Sequence, residues 1–186
     1  KGAILQLAEN KLTEKLLHEQ LRSCLDSLLE ILKDNELKVT GCERYVEMNM
    51  KLGLPKAKDE NGNPKASDML GFIDMTLEDR DGHPVVFDFK WTTWAKGYQN
   101  KLEQNRSVQL ELYRQMLGQT KKDEVKRVAY FLMPEARLYS KEAFKGRYCT
   151  QIESSDDSNI VEQLRQGVIY RKKQLDGGLL EMMGPY

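Results

Sequence analysis

The sequence predicts an α/β domain in which helices flank a mixed β-sheet. Three observations carry that expectation. A leucine-rich stretch with helical spacing opens the chain, two apolar runs joined by Asp81-Gly82 follow, and another apolar run lies between two further helical stretches. At 186 residues the chain is long enough for one domain with its own core, and residues 1–186 are read as such a unit.

The first helix is expected from about Leu12 to Leu37, and its pattern extends back through Ile4, Leu5 and Leu7. Leu12, Leu16, Leu17, Leu21, Leu25, Leu28, Leu29 and Leu32 recur at helical spacing, and this stripe is expected to be core. Leu37–Leu54 reads as a strand segment closed by Gly53-Leu54-Pro55. Lys56–Ser67 is a polar loop, expected to be mobile. A strand from Met69 to Leu77 follows. The Asp81-Gly82 turn signal folds it back onto Val85–Trp91 as an antiparallel hairpin. Thr92–Gln104 is a polar connection. A second helix runs from about Ser107 to Leu117, with Ser107 as N-cap and Gly118 beyond its end. Val125–Met133 is a strand stopped by Pro134. Glu135–Cys149 has no clear period, Ile152–Asp157 ends in an acidic turn, and Asn159–Leu175 is the third helix.

Composition narrows the function classes. The chain has 29 basic and 29 acidic residues, so its total charge does not advertise nucleic acid. The three cysteines are too few and too scattered for a disulfide framework, which suits a reducing, cytoplasmic setting. No apolar run approaches the length of a membrane span, no signal peptide is visible, and no membrane partner is expected. The chain begins with Lys1, and it is expected to be a fragment of a longer protein.

Chemistry concentrates in one hairpin. Along Val85–Trp91, alternation puts Val85, Phe87, Phe89 and Trp91 on one face and Val86, Asp88 and Lys90 on the other. An acid and an ammonium on a strand with an apolar back are expensive to bury without a partner. Asp74 supplies one. It lies nearly as far before the Asp81-Gly82 turn as Asp88 lies after it, so strand pairing brings the two carboxylates level. Facing carboxylates repel unless a proton or cation lies between them, and magnesium favours such oxygen ligands. Lys90 beside such a site would contact a scissile phosphate or orient the attacking water. Glu47 shares a strand face with Tyr45 and Asn49, and reads equally as a further site acid or a surface residue. Trp91 and Trp94 are expected to pack, with base stacking as the alternative.

These residues carry a resemblance. Gly71-x-x-Asp74, Asp88-x-Lys90 and, on the following helix, Gln109-x-x-x-Tyr113 occur in order and on fitting elements. The set resembles the PD-(D/E)XK nuclease superfamily, and most closely its RecB-like nuclease branch. The resemblance implies a restriction-endonuclease-like core and a Mg2+- or Mn2+-dependent deoxyribonuclease acting in DNA repair, recombination or processing. It implies Asp74, Asp88 and Lys90 as catalytic residues, with metal held by Asp74, Asp88, the Phe89 carbonyl and His18 on the first helix. It implies that Gln109 and Tyr113 line the site and touch the DNA backbone. DNA is the expected partner, with helicase domains or subunits as further candidates. The cysteine clusters that hold an iron–sulfur cluster in some relatives are missing, so none is expected. Between Lys90 and Lys122 there are seven basic residues against two acidic ones. Arg137, Lys141, Lys145 and Arg147 are expected to extend that basic path. The alternatives are a non-catalytic nucleic-acid-binding module that keeps the fold, and a metal-dependent phosphohydrolase with another substrate.

Overall fold

The computed structural model describes residues 11–53, 58, 61–63, 67–121, 123–156 and 158–179. The helical pattern through Ile4, Leu5 and Leu7, and most of the Lys56–Ser67 loop, lie outside these residues.

The chain runs α1 (Lys11–Asp34), β1 (Lys38–Met48), β2 (Met69–Glu78), β3 (Pro84–Lys90), α2 (Ala95–Glu103), α3 (Val108–Lys121) and β4 (Arg127–Leu132). After a 3-10 turn at Met133–Glu135 come β5 (Arg137–Ser140), β6 (Cys149–Gln151) and α4 (Ile160–Asp176). The six strands form one sheet in sequence order. β1, β2 and β3 are an antiparallel meander, β3 and β4 are parallel, β4 and β5 antiparallel, and β5 and β6 parallel. The parallel β3–β4 pair needs a crossover, and α2 with α3 supplies it. The fold is therefore the expected helix-flanked mixed sheet, in agreement with a restriction-endonuclease-like core.

The sheet separates two cores. On one face Val46, Ile73, Val86, Val128, Tyr130 and Leu132 pack with Leu102 of α2, Leu110, Met116 and Leu117 of α3, and Val161 of α4. On the other, Met75, Leu77, Val85, Phe87, Ala129, Phe131 and Leu138 pack with Cys24 and Ile31 of α1. Neighbouring residues of β3 and β4 divide between these faces, as strand alternation requires.

Three expectations are corrected. The Thr92–Gln104 connection contains α2, which buries only Ala95, Gly97 and Leu102. The unreadable Glu135–Cys149 stretch holds β5 and the start of β6, strands of four and three residues. The leucine stripe of α1 is largely not core. Leu16, Leu21, Leu25 and Leu29 are 41–55% exposed, whereas Cys24, Ser27 and Ile31 are buried. Helical period identifies the helix, but the sheet is met by the neighbouring stripe, with Leu28 and Leu32 partly covered. No helix among the described residues is long and apolar enough to cross a membrane.

Candidate active site

The site begins with the turn that sets the β2–β3 register. Gly82 has φ 84°, a left-handed backbone that suits glycine. Asp79 fastens the turn: its Oδ1 accepts the amides of Asp81 at 3.1 Å and His83 at 2.9 Å. Its Oδ2 accepts Arg127 Nη2 at 3.1 Å. From there Glu78 faces Pro84, Leu77 faces Val85, Thr76 faces Val86 and Met75 faces Phe87. The next level is Asp74 opposite Asp88.

At that level the ladder opens. The β2–β3 pairing ends at Met75–Phe87, and the β1–β2 pairing skips the level of Glu43 and Asp74, where Glu43 has φ 49°. β2 turns over here: Met75 packs on the α1 face, but Ile73, two residues earlier, packs on the α3 face. Such irregularities re-aim side chains in a strand. Asp74 Oδ2 accepts the Phe89 amide at 2.7 Å, taking a donor that an unbroken ladder would have claimed.

Asp88 is 0% exposed, at the centre of the sheet. Neither carboxylate oxygen has a hydrogen-bond partner among the described residues. Lys90 Nζ stands 2.7 Å from Oδ2, an ion-pair distance without hydrogen-bond angles. Burial pushes the Asp88 carboxyl up to about 6. Lys90 opposes that rise, and the charge of Asp74 adds to it. Burial pulls Lys90 down, but Asp88, Tyr98 and Asp74 together lift it above the usual lysine value. Lys90 is therefore a fixed cation at neutral pH.

Two tyrosines complete the surroundings, and no local pattern in the sequence points to either. Tyr130 of β4 lies level with Asp88 in the parallel register and is buried. Burial, then the Asp88 charge, pushes its phenol far up, so it stays neutral. Tyr98 of α2 meets Tyr130 edge-to-face at 4.9 Å between ring centres. A parallel partner for β3 is invisible before the crossover is known, and Tyr98 lies in the stretch read as a connection.

On α3, Gln109 Nε2 donates to Tyr113 Oη at 3.0 Å, so the two do share a helix face. Tyr113 packs over β2 at Gly71, where a Cβ would stand 3.4 Å from its ring. That places the pair three residues from Asp74 along β2. His18 and Glu47 are not brought to the carboxylates. His18 is on the uncovered first turns of α1, 74% exposed, with its nearest acid, Glu14, at 3.9 Å. Glu47 alternates with buried Val46 and Met48, so it points to the opposite side of the sheet, where it accepts Tyr45 Oη at 3.0 Å.

The basic path is also thinner than its sequence suggests. Arg114 is held by Glu111, Glu142 and the Val125 carbonyl. Lys121 pairs with Glu78, Lys141 with Glu111, and Arg147 with Glu30. Arg137 donates to the Arg147 carbonyl and to Thr150 Oγ1. The Lys122 side chain lies outside the described residues.

The donor set suits a divalent cation. A buried carboxylate whose Oδ1 has no partner among the described residues and a second carboxylate level with it offer oxygen donors to a hard cation. Among the described residues no three His, Cys, Asp or Glu side chains gather around a common point. Two carboxylates are enough for an ion such as magnesium, which keeps several of its waters.

A search among curated proteins found no match. The sequence profile of the PD-(D/E)XK nuclease superfamily matches residues 3–184, nearly the whole chain. Members of that superfamily are generally nucleases that use divalent metals. The chain belongs to the PD-(D/E)XK nuclease superfamily.

Proposed function

We propose that the chain is a Mg2+- or Mn2+-dependent deoxyribonuclease of the RecB-like type. The observation that carries this reading is the Asp88 carboxylate: fully buried, with Lys90 ion-paired to Oδ2 at 2.7 Å and Oδ1 without a partner among the described residues. A site with that desolvation cost is retained where a ligand offsets it. Asp74 and Asp88 hold the metal, with the Phe89 carbonyl as a further ligand. His18 stays outside this set. A divalent ion bound there supplies a Lewis acid for the phosphoryl oxygen and lowers the pKa of a bound water.

The protein's own groups do the rest. Lys90, protonated at neutral pH, donates to a non-bridging phosphate oxygen, offsets the charge that grows in the transition state and orients the attacking water. Asp74, pinned by the Phe89 amide at 2.7 Å, fixes the mouth of the opened ladder. Tyr130 and Tyr98 wall Asp88 from water. Gln109 and Tyr113 present an amide and a phenol that bind phosphate without reading bases. The RecB-like assignment, and with it a setting in DNA repair or recombination beside helicase domains, is supported by Gly71-x-x-Asp74, Asp88-x-Lys90 and Gln109-x-x-x-Tyr113.

A nuclease assay on single-stranded DNA, duplex DNA and RNA with a metal series tests the reading. Lys90→Ala and Asp88→Ala are each expected to lose about a thousandfold or more in rate while keeping the circular dichroism of the parent. Activity that survives both substitutions would refute this centre. DNA binding without cleavage under any metal would favour the non-catalytic module, and cleavage of RNA alone would exclude DNA as the substrate.

A further inference from the structure

Both tryptophans of the chain, Trp91 and Trp94, lie just after Lys90. Neither is packed into a core: they are 52% and 63% exposed, and Trp94 is the most exposed large apolar side chain among the described residues. Its orientation is nevertheless fixed. The indole atoms Cδ2, Cε3 and Cε2 lie 2.4, 2.4 and 2.5 Å from the point where a Cβ on Gly97 would stand. Three fused-ring atoms equidistant from one point mean that the ring sets one face on the helix backbone. Only glycine admits that approach. The Trp94 amide donates to Thr92 Oγ1 at 3.0 Å, which holds the turn entering α2. The other indole face is left to solvent.

Tyr98 and Lys101, three apart, share one face of α2, and Trp94 is the N-cap residue that leads into that helix. Lys101 Nζ lies 4.6 Å from the Tyr98 ring centre, and Tyr98 rests on Tyr130, level with Asp88. An open aromatic face at the start of α2 thus lies one turn before Tyr98, which reaches the level of the buried carboxylate through Tyr130 and carries the Lys101 cation over its ring. An aromatic face held open to solvent suits the face of an unpaired nucleobase. Bases inside a duplex are stacked on one another and have no face to give.

We infer that Trp94 is a base-stacking platform that selects single-stranded DNA and lays it across the Asp74–Asp88–Lys90 centre. This rests on the nuclease reading above, and binding without metal separates the two. Because the chain has only these two tryptophans, its intrinsic tryptophan fluorescence reports on these two positions alone, and in a Trp91→Phe background on Trp94 alone.

The experiment titrates the protein in EDTA with an oligothymidylate and with an abasic oligonucleotide of equal length. The oligothymidylate is expected to quench the fluorescence and to bind about tenfold more tightly than the abasic strand. Trp94→Ala erases that preference, Trp94→Phe keeps most of it, and Gly97→Ala, which drives the indole off its seat, weakens it. Wild-type protein that fails to bind the oligothymidylate, that binds both strands equally, or whose preference survives Trp94→Ala would overturn the platform. Cleavage without base preference would remove the platform and leave the nuclease reading standing. Base preference without cleavage under any metal would do the reverse.

Discussion

Phe87 and Asp88 are chain neighbours on β3, and both are 0% exposed. Phe87 points to the α1 face, meets Phe144 edge-to-face at 5.6 Å between ring centres, and lies among apolar groups. Asp88 points to the α3 face and meets Lys90, Tyr130 and the charge of Asp74. Equal burial has opposite energetic meaning on the two faces. Phe87 gains stability by leaving water, whereas Asp88 loses solvation without a full set of partners. One strand thereby anchors the α1 face with Val85 and Phe87 and turns Asp88 and Lys90 toward the α3 face.

Removing each side chain should separate these roles. Phe87→Ala is expected to cost about 3–5 kcal/mol in urea denaturation, through lost transfer energy and the cavity left behind. A cost under about 1 kcal/mol would mean that the α1 face is not the anchor.

Asp88 should show the opposite sign, and only at the right pH. Its carboxyl titrates near 6 in the fold against an ordinary 3.8. Between those values the folded chain binds the extra proton, so the metal-free protein loses stability as pH rises through the window. The loss is about 3 kcal/mol. Urea midpoints of wild type and Asp88→Asn should therefore diverge in favour of the variant from pH 4 to 7, and a constant gap would contradict the buried charge. A divalent metal at about a hundred times its Kd should restore about 2.7 kcal/mol, or roughly 5–10 °C in Tm, at pH 8. At pH 5 the proton competes and the gain should shrink.

The smallest effect belongs to the outer side of α1. Leu25 is 55% exposed, and Leu25→Ser should change stability by no more than about 0.5 kcal/mol. A larger loss would show that the leucine stripe is covered in solution.

The sequence made the hairpin legible because its signals are local. A turn dipeptide fixes register, alternation fixes the face, and together they put Asp74 level with Asp88 before any tertiary contact is known. Neighbouring strands were not legible in the same way. Tyr130 reaches Asp88 through a parallel pairing that depends on the whole α2–α3 crossover. α2 is polar, with Trp94 at its N-cap and no side chain capping it, so nothing announced a helix. β5 and β6 are too short for a period to register. The leucines of α1 marked a helix truthfully, but periodicity does not say which stripe meets the sheet. His18, chosen through the family resemblance, falls on that same uncovered side.

The most direct test of the centre is Mn2+ binding followed by its electron paramagnetic resonance signal, in wild type, Asp74→Asn and Asp88→Asn at pH 8. Wild type should bind Mn2+ in the range displaced by Mg2+, and each substitution should weaken binding at least tenfold. Mn2+ bound at wild-type strength by both variants would contradict the assignment of Asp74 and Asp88 as the metal site.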